Sequence, residues 1–157
     1  MDKTTTPNRL DTYCGLYCGA CVVYQANCNG TATRLTDEFG LKPDDVTCNG
    51  CRSSVNSNCA KSCRIKPCAQ ENNVEFCFEC PDYPCNHLVE FKNDKYLHRS
   101  FVINNLEEIK KSGYKKWTEE QQKRWKCAEC NEPFHWYEDT CKKCGTAVFN
   151  CVRERNQ

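Results

Sequence analysis

Apolar positions recur with a helical period in only a few places along this chain. The clearest is 98–112, where Val102, Leu106 and Ile109 fall on one stripe. Lys110 and Lys111 suit the C-terminal end of that helix, and Gly113 is placed to cap it. Two shorter helices are predicted at 20–27 and 31–39, with Gly40 after Phe39 as the stop. Leu88 and Phe91, three apart, predict one further helical turn. The sequence Thr118-Glu-Glu-Gln121 has the form of a capping box and predicts a third helix starting there. Trp117 and Trp125 flank it and are expected to pack on the domain or on the C-terminal segment. Val74-Glu75-Phe76-Cys77-Phe78 reads as a short extended piece with Phe76 and Phe78 on one face. Between these segments, 44–85 is rich in Asn, Ser, Pro and Cys and has almost no apolar period, so it needs something besides hydrocarbon to fold.

Composition says what that is. The residues AVILMFWYC make up 39% of 157, but 17 of them are cysteines, so the apolar content left for a core is thin. Such a cysteine density means disulfides or metals. The N-terminus MDKTTTPNRLDTY has no basic start followed by an apolar run, and no segment approaches the length of a membrane span. The expectation is a cytoplasmic protein with reduced thiols and no membrane contact, in which the cysteines hold metal. The odd count also fits complete disulfide pairing poorly.

The strongest motif is Cys127-Ala-Glu-Cys130, ten residues, then Cys141-Lys-Lys-Cys144-Gly145. Two C-x-x-C pairs at this separation are the pattern of a zinc ribbon: a tight turn aims two thiolates at one ion, and Gly145 tolerates the positive φ that closes the turn. Pro133-Phe134-His135-Trp136-Tyr137 reads as a strand of the ribbon's β-hairpin. Four thiolates leave no open position, so this metal is structural. Cys151 is left over as a buried or free thiol.

Twelve cysteines precede residue 90. Cys18/Cys21, Cys48/Cys51 and Cys77/Cys80 are C-x-x-C half-sites, while Cys14, Cys59, Cys63, Cys68 and Cys85 are placed to add single ligands from turns or a helix. Pro81 and Pro84 stiffen the loop between Cys80 and Cys85, His87 is a candidate substitute for one sulfur, and Cys28 stands apart. The opening run C-x3-C-x2-C at Cys14, Cys18 and Cys21 is also the cluster motif of radical enzymes that cleave S-adenosylmethionine, but the strand–helix repeats of their barrel are missing. A thioredoxin-like redox pair at Cys18/Cys21 needs an apolar strand before it, and TTTPNRLDTY is not one. Zinc and a non-radical iron–sulfur cluster both accept four thiolates, and spacing does not separate them.

Five fragments carry a family resemblance: CGLYCGAC at 14–21, CNGCR at 48–52, CRIKPCA at 63–69, FCFECPDYPC at 76–85, and WKCAEC with WYEDTCKKCG within 125–145. Together they resemble domain-of-unknown-function family 3795, a set of cysteine-rich prokaryotic proteins, some with a C-terminal zinc ribbon. The resemblance implies zinc binding without an established activity. It maps the shared cysteines onto Cys14, Cys18, Cys21, Cys48, Cys51, Cys63, Cys68, Cys77, Cys80 and Cys85, and leaves Cys28 outside.

Charge changes the picture once metal is counted. The formal net charge is +1 with neutral thiols, yet each four-thiolate zinc site carries a net −2, so four would bring the chain to about −7. That weakens nucleic-acid binding, which needs a basic footprint. The exception is 110–137, where Lys110, Lys111, Lys115, Lys116, Lys123, Arg124 and Lys126 accompany Tyr114, Trp117, Trp125 and the ribbon aromatics. For catalysis there is no phosphate-binding loop, and only His87, His98 and His135 offer imidazoles. The expected fold is therefore a small, loop-rich, metal-stabilised α+β protein, with short helices around cysteine knuckles and a C-terminal β-hairpin zinc ribbon. Its expected division is a polar tail at 1–12, a multi-metal domain at 13–91, a helical segment at 92–126, the ribbon at 127–151 and a tail at 152–157. The expected cofactor is zinc, several ions per chain with at least one in the ribbon, and an iron–sulfur cluster at the N-terminal cysteines stays open. The expected role is a non-catalytic binding module with a protein partner, or less favourably a nucleic acid; the rival is an iron–sulfur or thiol-redox protein.

Overall fold

The computed structural model describes residues 9–156, the side chain of Cys59 excepted. Among them are nine α-helices and three 3-10 turns: α1 Val22–Asn29, α2 Ala32–Phe39, α3 Pro43–Val46, α4 Asn58–Lys61, α5 Ile65–Glu71, α6 Asn86–Lys92, α7 Val102–Ser112, α8 Tyr114–Arg124 and α9 Cys151–Arg155, with turns at Cys18–Ala20, Cys77–Glu79 and Leu97–Phe101. The predicted apolar stripe of α7 is the centre of the molecule. Val102, Leu106 and Ile109 are buried and pack with Leu88 of α6, Ile65 of α5, Trp117 of α8 and Tyr17. Each such side chain contributes roughly 1.5–3 kcal/mol on burial. Tyr17 and Trp117 meet edge to face at 6.2 Å. The same core continues into the C-terminal thiols: Trp125, Cys127, Phe134, Cys141, Val148 and Cys151 belong to it.

The lobe formed by α1–α4 is built differently. Gly30 and Gly40 end α1 and α2 in the left-handed conformation. Yet α2 buries no residue, and Phe39 is 62% exposed. This lobe buries Ala26 and Val46 and is tied by polar contacts: the Gln25 amide donates to the carbonyl of Gly19 in the preceding turn at 2.8 Å, and the Asn27 amide donates to the Val46 carbonyl.

Several expectations are corrected. The α+β class does not hold, because the described residues contain no strand, and the C-terminal β-hairpin zinc ribbon is not formed. What remains of it is two isolated antiparallel bridges, Lys126 with Pro133 and Thr140 with Ala147. The backbone between the cysteine pairs is committed elsewhere: the Trp136 amide donates to the Ala20 carbonyl at 3.2 Å, and the Trp136 carbonyl accepts from the Cys151 amide at 2.9 Å. Pro133 has no amide to extend a ladder. The extended reading of 74–78 also fails, since Cys77–Glu79 is a 3-10 turn, although Phe76 and Phe78 do stack at 5.4 Å. α8 begins at Tyr114 after Gly113, not at Thr118. The Thr118 hydroxyl donates back to the Tyr114 carbonyl at 2.7 Å, the bond of a helix-interior threonine, whereas a cap hydroxyl accepts from an amide. The turn-rich 44–85 contains α4 and α5.

Residues 9–12 are packed into the body. Asp11, 1% exposed, receives Arg9 at 2.6 Å and Arg52 at 2.9 Å. Arg52 also donates to the Glu75 carbonyl at 2.7 Å, so this cluster joins the segments that carry Cys14, Cys51 and Cys77. At the other end of the chain, α9 packs on the Leu97–Phe101 turn.

Candidate metal centres

The two C-terminal cysteine pairs sit in matching turns. The Cys127 amide donates to the Glu132 carbonyl, and the Asn131 amide returns to the Cys127 carbonyl, both at 2.9 Å. The Cys141 amide donates to the Thr146 carbonyl at 2.7 Å, and the Gly145 amide returns to the Cys141 carbonyl at 2.8 Å. The residue after each second cysteine has positive φ, +60° at Asn131 and +75° at Gly145. Gly145 is legible from sequence; Asn131 fills the same role because asparagine tolerates the left-handed region.

These turns bring four sulfurs together. Cys127 and Cys144 are 3.5 Å apart, as are Cys130 and Cys141, and all four sulfurs lie within 4.8 Å of one another. A tetrahedral zinc with bonds of about 2.3 Å sets its sulfurs about 3.8 Å apart, so the quartet fits that ion. Its protons are unevenly held. The Thr146 hydroxyl, 3.2 Å from the Cys144 sulfur, and the Thr146 amide pull Cys144 down to about 6. The Glu132 amide favours the Cys130 thiolate, but desolvation and hydrogen bonding with Cys141, Cys144 and Cys127 outweigh it and raise that thiol to about 12. Four crowded sulfurs give up all their protons only to a cation. Cys127 and Cys141 are buried in the core, while Cys144 is exposed.

The N-terminal cassette is fixed against α7. A Cβ on Gly15 (φ +92°) would lie 2.6 Å from the Val102 carbonyl oxygen, so only glycine lets this loop approach, and the Asn105 amide holds the Gly15 carbonyl at 2.9 Å. Cys14 is pushed up to about 12, first by burial and then by Cys51 and Cys63, against a contact from Thr12 at 3.3 Å. Cys18 accepts from the Cys51 amide at 3.3 Å. Burial raises it well above the usual thiol range, and Cys51, Cys21 and Cys48 add to that. Cys51 is raised by burial and by Cys63. The Cys51 amide on the Cys18 sulfur thus brings the predicted half-sites Cys18/Cys21 and Cys48/Cys51 into contact. Cys59 is also a predicted ligand, and its side chain lies outside the described residues.

Cys68 of α5, Cys77 of the 3-10 turn, Cys80 just after it and Cys85 just before α6 line one cavity of ≈ 30 Å³, with Asn72, Tyr83 and His87 on its wall and Ile65, Ala69, Val74 and Leu88 as apolar lining. Cys77 is pushed up to about 12 by burial, then by Cys14, Cys85, Cys68 and Cys80. Glu79 points away from this chemistry: its carboxylate accepts the Glu75 amide at 2.6 Å and the Phe76 amide at 3.3 Å. Among the described residues, the C-terminal quartet alone gathers three or more ligand atoms within 4.8 Å. Cys28 is exposed, and Cys151 is buried in the core at the start of α9.

One site has no sequence signal because five separate segments build it. A cavity of ≈ 190 Å³ opens between Tyr17, His98, Arg124, Trp136 and Glu154. His98 stacks on Trp136 at 3.9 Å and meets the Tyr137 hydroxyl at 2.7 Å. Burial, then Arg99, lowers His98 to about 3, so its ring is neutral at physiological pH.

Fold and site together define a helical, cysteine-rich protein with a four-thiol group that could hold a metal such as zinc. The chain belongs to the family described as Protein of unknown function (DUF3795), whose model matches residues 10–90. No curated protein and no solved structure matches it. No described helix is long and apolar enough to cross a membrane.

Proposed function

We propose that this chain is a zinc-binding protein acting in the cytoplasm as a non-catalytic interaction module. The observation that carries the reading is the quartet Cys127, Cys130, Cys141 and Cys144, whose sulfurs lie within 4.8 Å of one another. Four thiolates leave zinc no open position for substrate, which favours a structural ion. Free thiols at Cys127, Cys130, Cys141 and Cys144 suit a reducing compartment. Further metal is held by the thiols of 14–85 other than Cys28, whose described members are buried or half-buried. A protein partner is favoured by the α1–α4 lobe, where Phe39, Leu41 and Val55 are exposed large apolar side chains. The lysines of α8 offer charge for a nucleic acid, but Trp117 and Trp125 are buried in the core and not free to stack on bases.

The test is metal analysis of the purified protein. Wild type is expected to carry zinc that Cys130→Ala reduces by one equivalent. Zinc-free wild type, or zinc unchanged in Cys130→Ala, would rule the reading out.

A further inference from the structure

The two sets of thiols that surround a defined centre differ in one measurable way. The C-terminal sulfurs are in contact, with pairs 3.5 Å apart. Cys68, Cys77, Cys80 and Cys85 line a cavity of ≈ 30 Å³, and no three of their sulfurs come within the 4.8 Å that the other quartet satisfies. A single zinc ion needs its four sulfurs about 3.8 Å apart and leaves no space among them. An iron–sulfur cluster also takes four thiolates, but its own iron and sulfide stand between them and hold them apart.

The cavity's surroundings point the same way. Beside the four thiols, Ile65, Ala69, Val74 and Leu88 give it an apolar wall, with Asn72, Tyr83 and His87 as its other polar groups. Left empty, the cavity would cost the helices around it their contacts. An inorganic core bonded to the thiolates fills it, and an apolar shell is one of the features by which proteins tune such cores. The Asn72 side-chain amide, 3.7 Å from the Cys68 sulfur, is placed to donate to a thiolate. The ligands come from three separate elements: α5, the 3-10 turn and its following residue, and the residue before α6. Such ligands can be spread around a cluster, whereas two C-x-x-C turns converge on one ion.

We infer that Cys68, Cys77, Cys80 and Cys85 bind an iron–sulfur cluster, while the C-terminal quartet binds zinc. The inference concerns a different set of thiols from the zinc reading and stands or falls separately. The test is anaerobic purification of the full chain from iron-replete cells, followed by reconstitution with ferric iron, sulfide and a dithiol reductant. Iron, labile sulfide and zinc are then measured together with the visible spectrum. Wild type is expected to be brown, with iron and sulfide in equal amounts and zinc retained. Cys80→Ala and Cys77→Ala are expected to lose iron, sulfide and colour but keep zinc. Cys130→Ala is expected to lose zinc and keep colour. Should the cavity variants not fold, X-ray absorption at the iron edge of wild type decides, expecting four-sulfur coordination with short iron–iron distances. A colourless wild type that takes up only zinc overturns the cluster and leaves the zinc reading intact. Colour that survives in folded Cys77→Ala and Cys80→Ala overturns the assignment to this cavity. A coloured protein without zinc upholds the cluster and sinks the zinc reading.

Discussion

The C-terminal quartet and the thiols around Cys77 use the same side chain to make different sites. The first is made by local turns. Its two C-x-x-C loops are closed by their own backbone hydrogen bonds, and the only long-range step is to bring one loop against the other. The second is made by tertiary packing. Its ligands are held by α5, the Cys77–Glu79 turn and α6, which converge because Ile65, Phe76 and Leu88 are buried in one core. Local turns give touching sulfurs; packed helices give sulfurs around a space. The spacing of ligands along a chain therefore predicts a site well only when turns build it.

The largest effect expected from breaking this contrast is metal removal. A strong chelator under reducing conditions should unfold 126–150, with a loss on the order of 10 kcal/mol. Near-ultraviolet circular dichroism and limited proteolysis would follow it, and an unchanged proteolytic pattern would show that turns alone suffice. Next in size is Leu106→Ala, which opens a cavity under the Gly15 loop. It should cost about 2–5 kcal/mol, read from denaturant midpoints. It should also disturb metal loading at the N-terminal thiols more than at the C-terminal quartet, and equal loss at both would erase the difference between them.

Acid comes third. The folded-state His98 value of about 3 lies below the unfolded value near 6.5. Stability from the neutral ring is complete above about pH 6.5 and falls as pH drops toward 3, by up to about 1.4 kcal/mol per unit. With zinc saturating, His98→Gln should flatten the pH dependence of the melting temperature over that window, and identical profiles would remove His98 as the source. The smallest effect is expected for Phe39→Ser. This side chain is 62% exposed, so the change should move stability by no more than about 0.5 kcal/mol and leave both metal contents alone.

Legibility from the sequence divides along the same line. The α7 stripe, the Gly40 and Gly113 stops and the Cys127/Cys130/Cys141/Cys144 grouping were readable because each rests on a short local pattern. The ribbon's hairpin was not, since two knuckles can close a site without a ladder and the Trp136 backbone bonds to Ala20 and Cys151 instead. The start of α8 was misplaced because Thr118 satisfies a capping pattern that its hydroxyl does not use. The grouping of Cys68 with Cys77, Cys80 and Cys85 depends on how α5 and α6 meet, and no spacing encodes that. Nor did any motif announce the His98–Trp136 stack, whose partners are 38 residues apart.

The Trp136 amide on the Ala20 carbonyl bears on how this chain can change. Zinc-binding loops are commonly thought of as portable cassettes that can be moved between proteins. Here the loop between the two cysteine pairs is stitched to the residue just before Cys21, and Trp125 and Phe134 are shared with the common core. Cut away, the C-terminal piece would leave an exposed wound on the remainder, and grafted elsewhere it would lack its floor. In this chain the two parts therefore depend on one core.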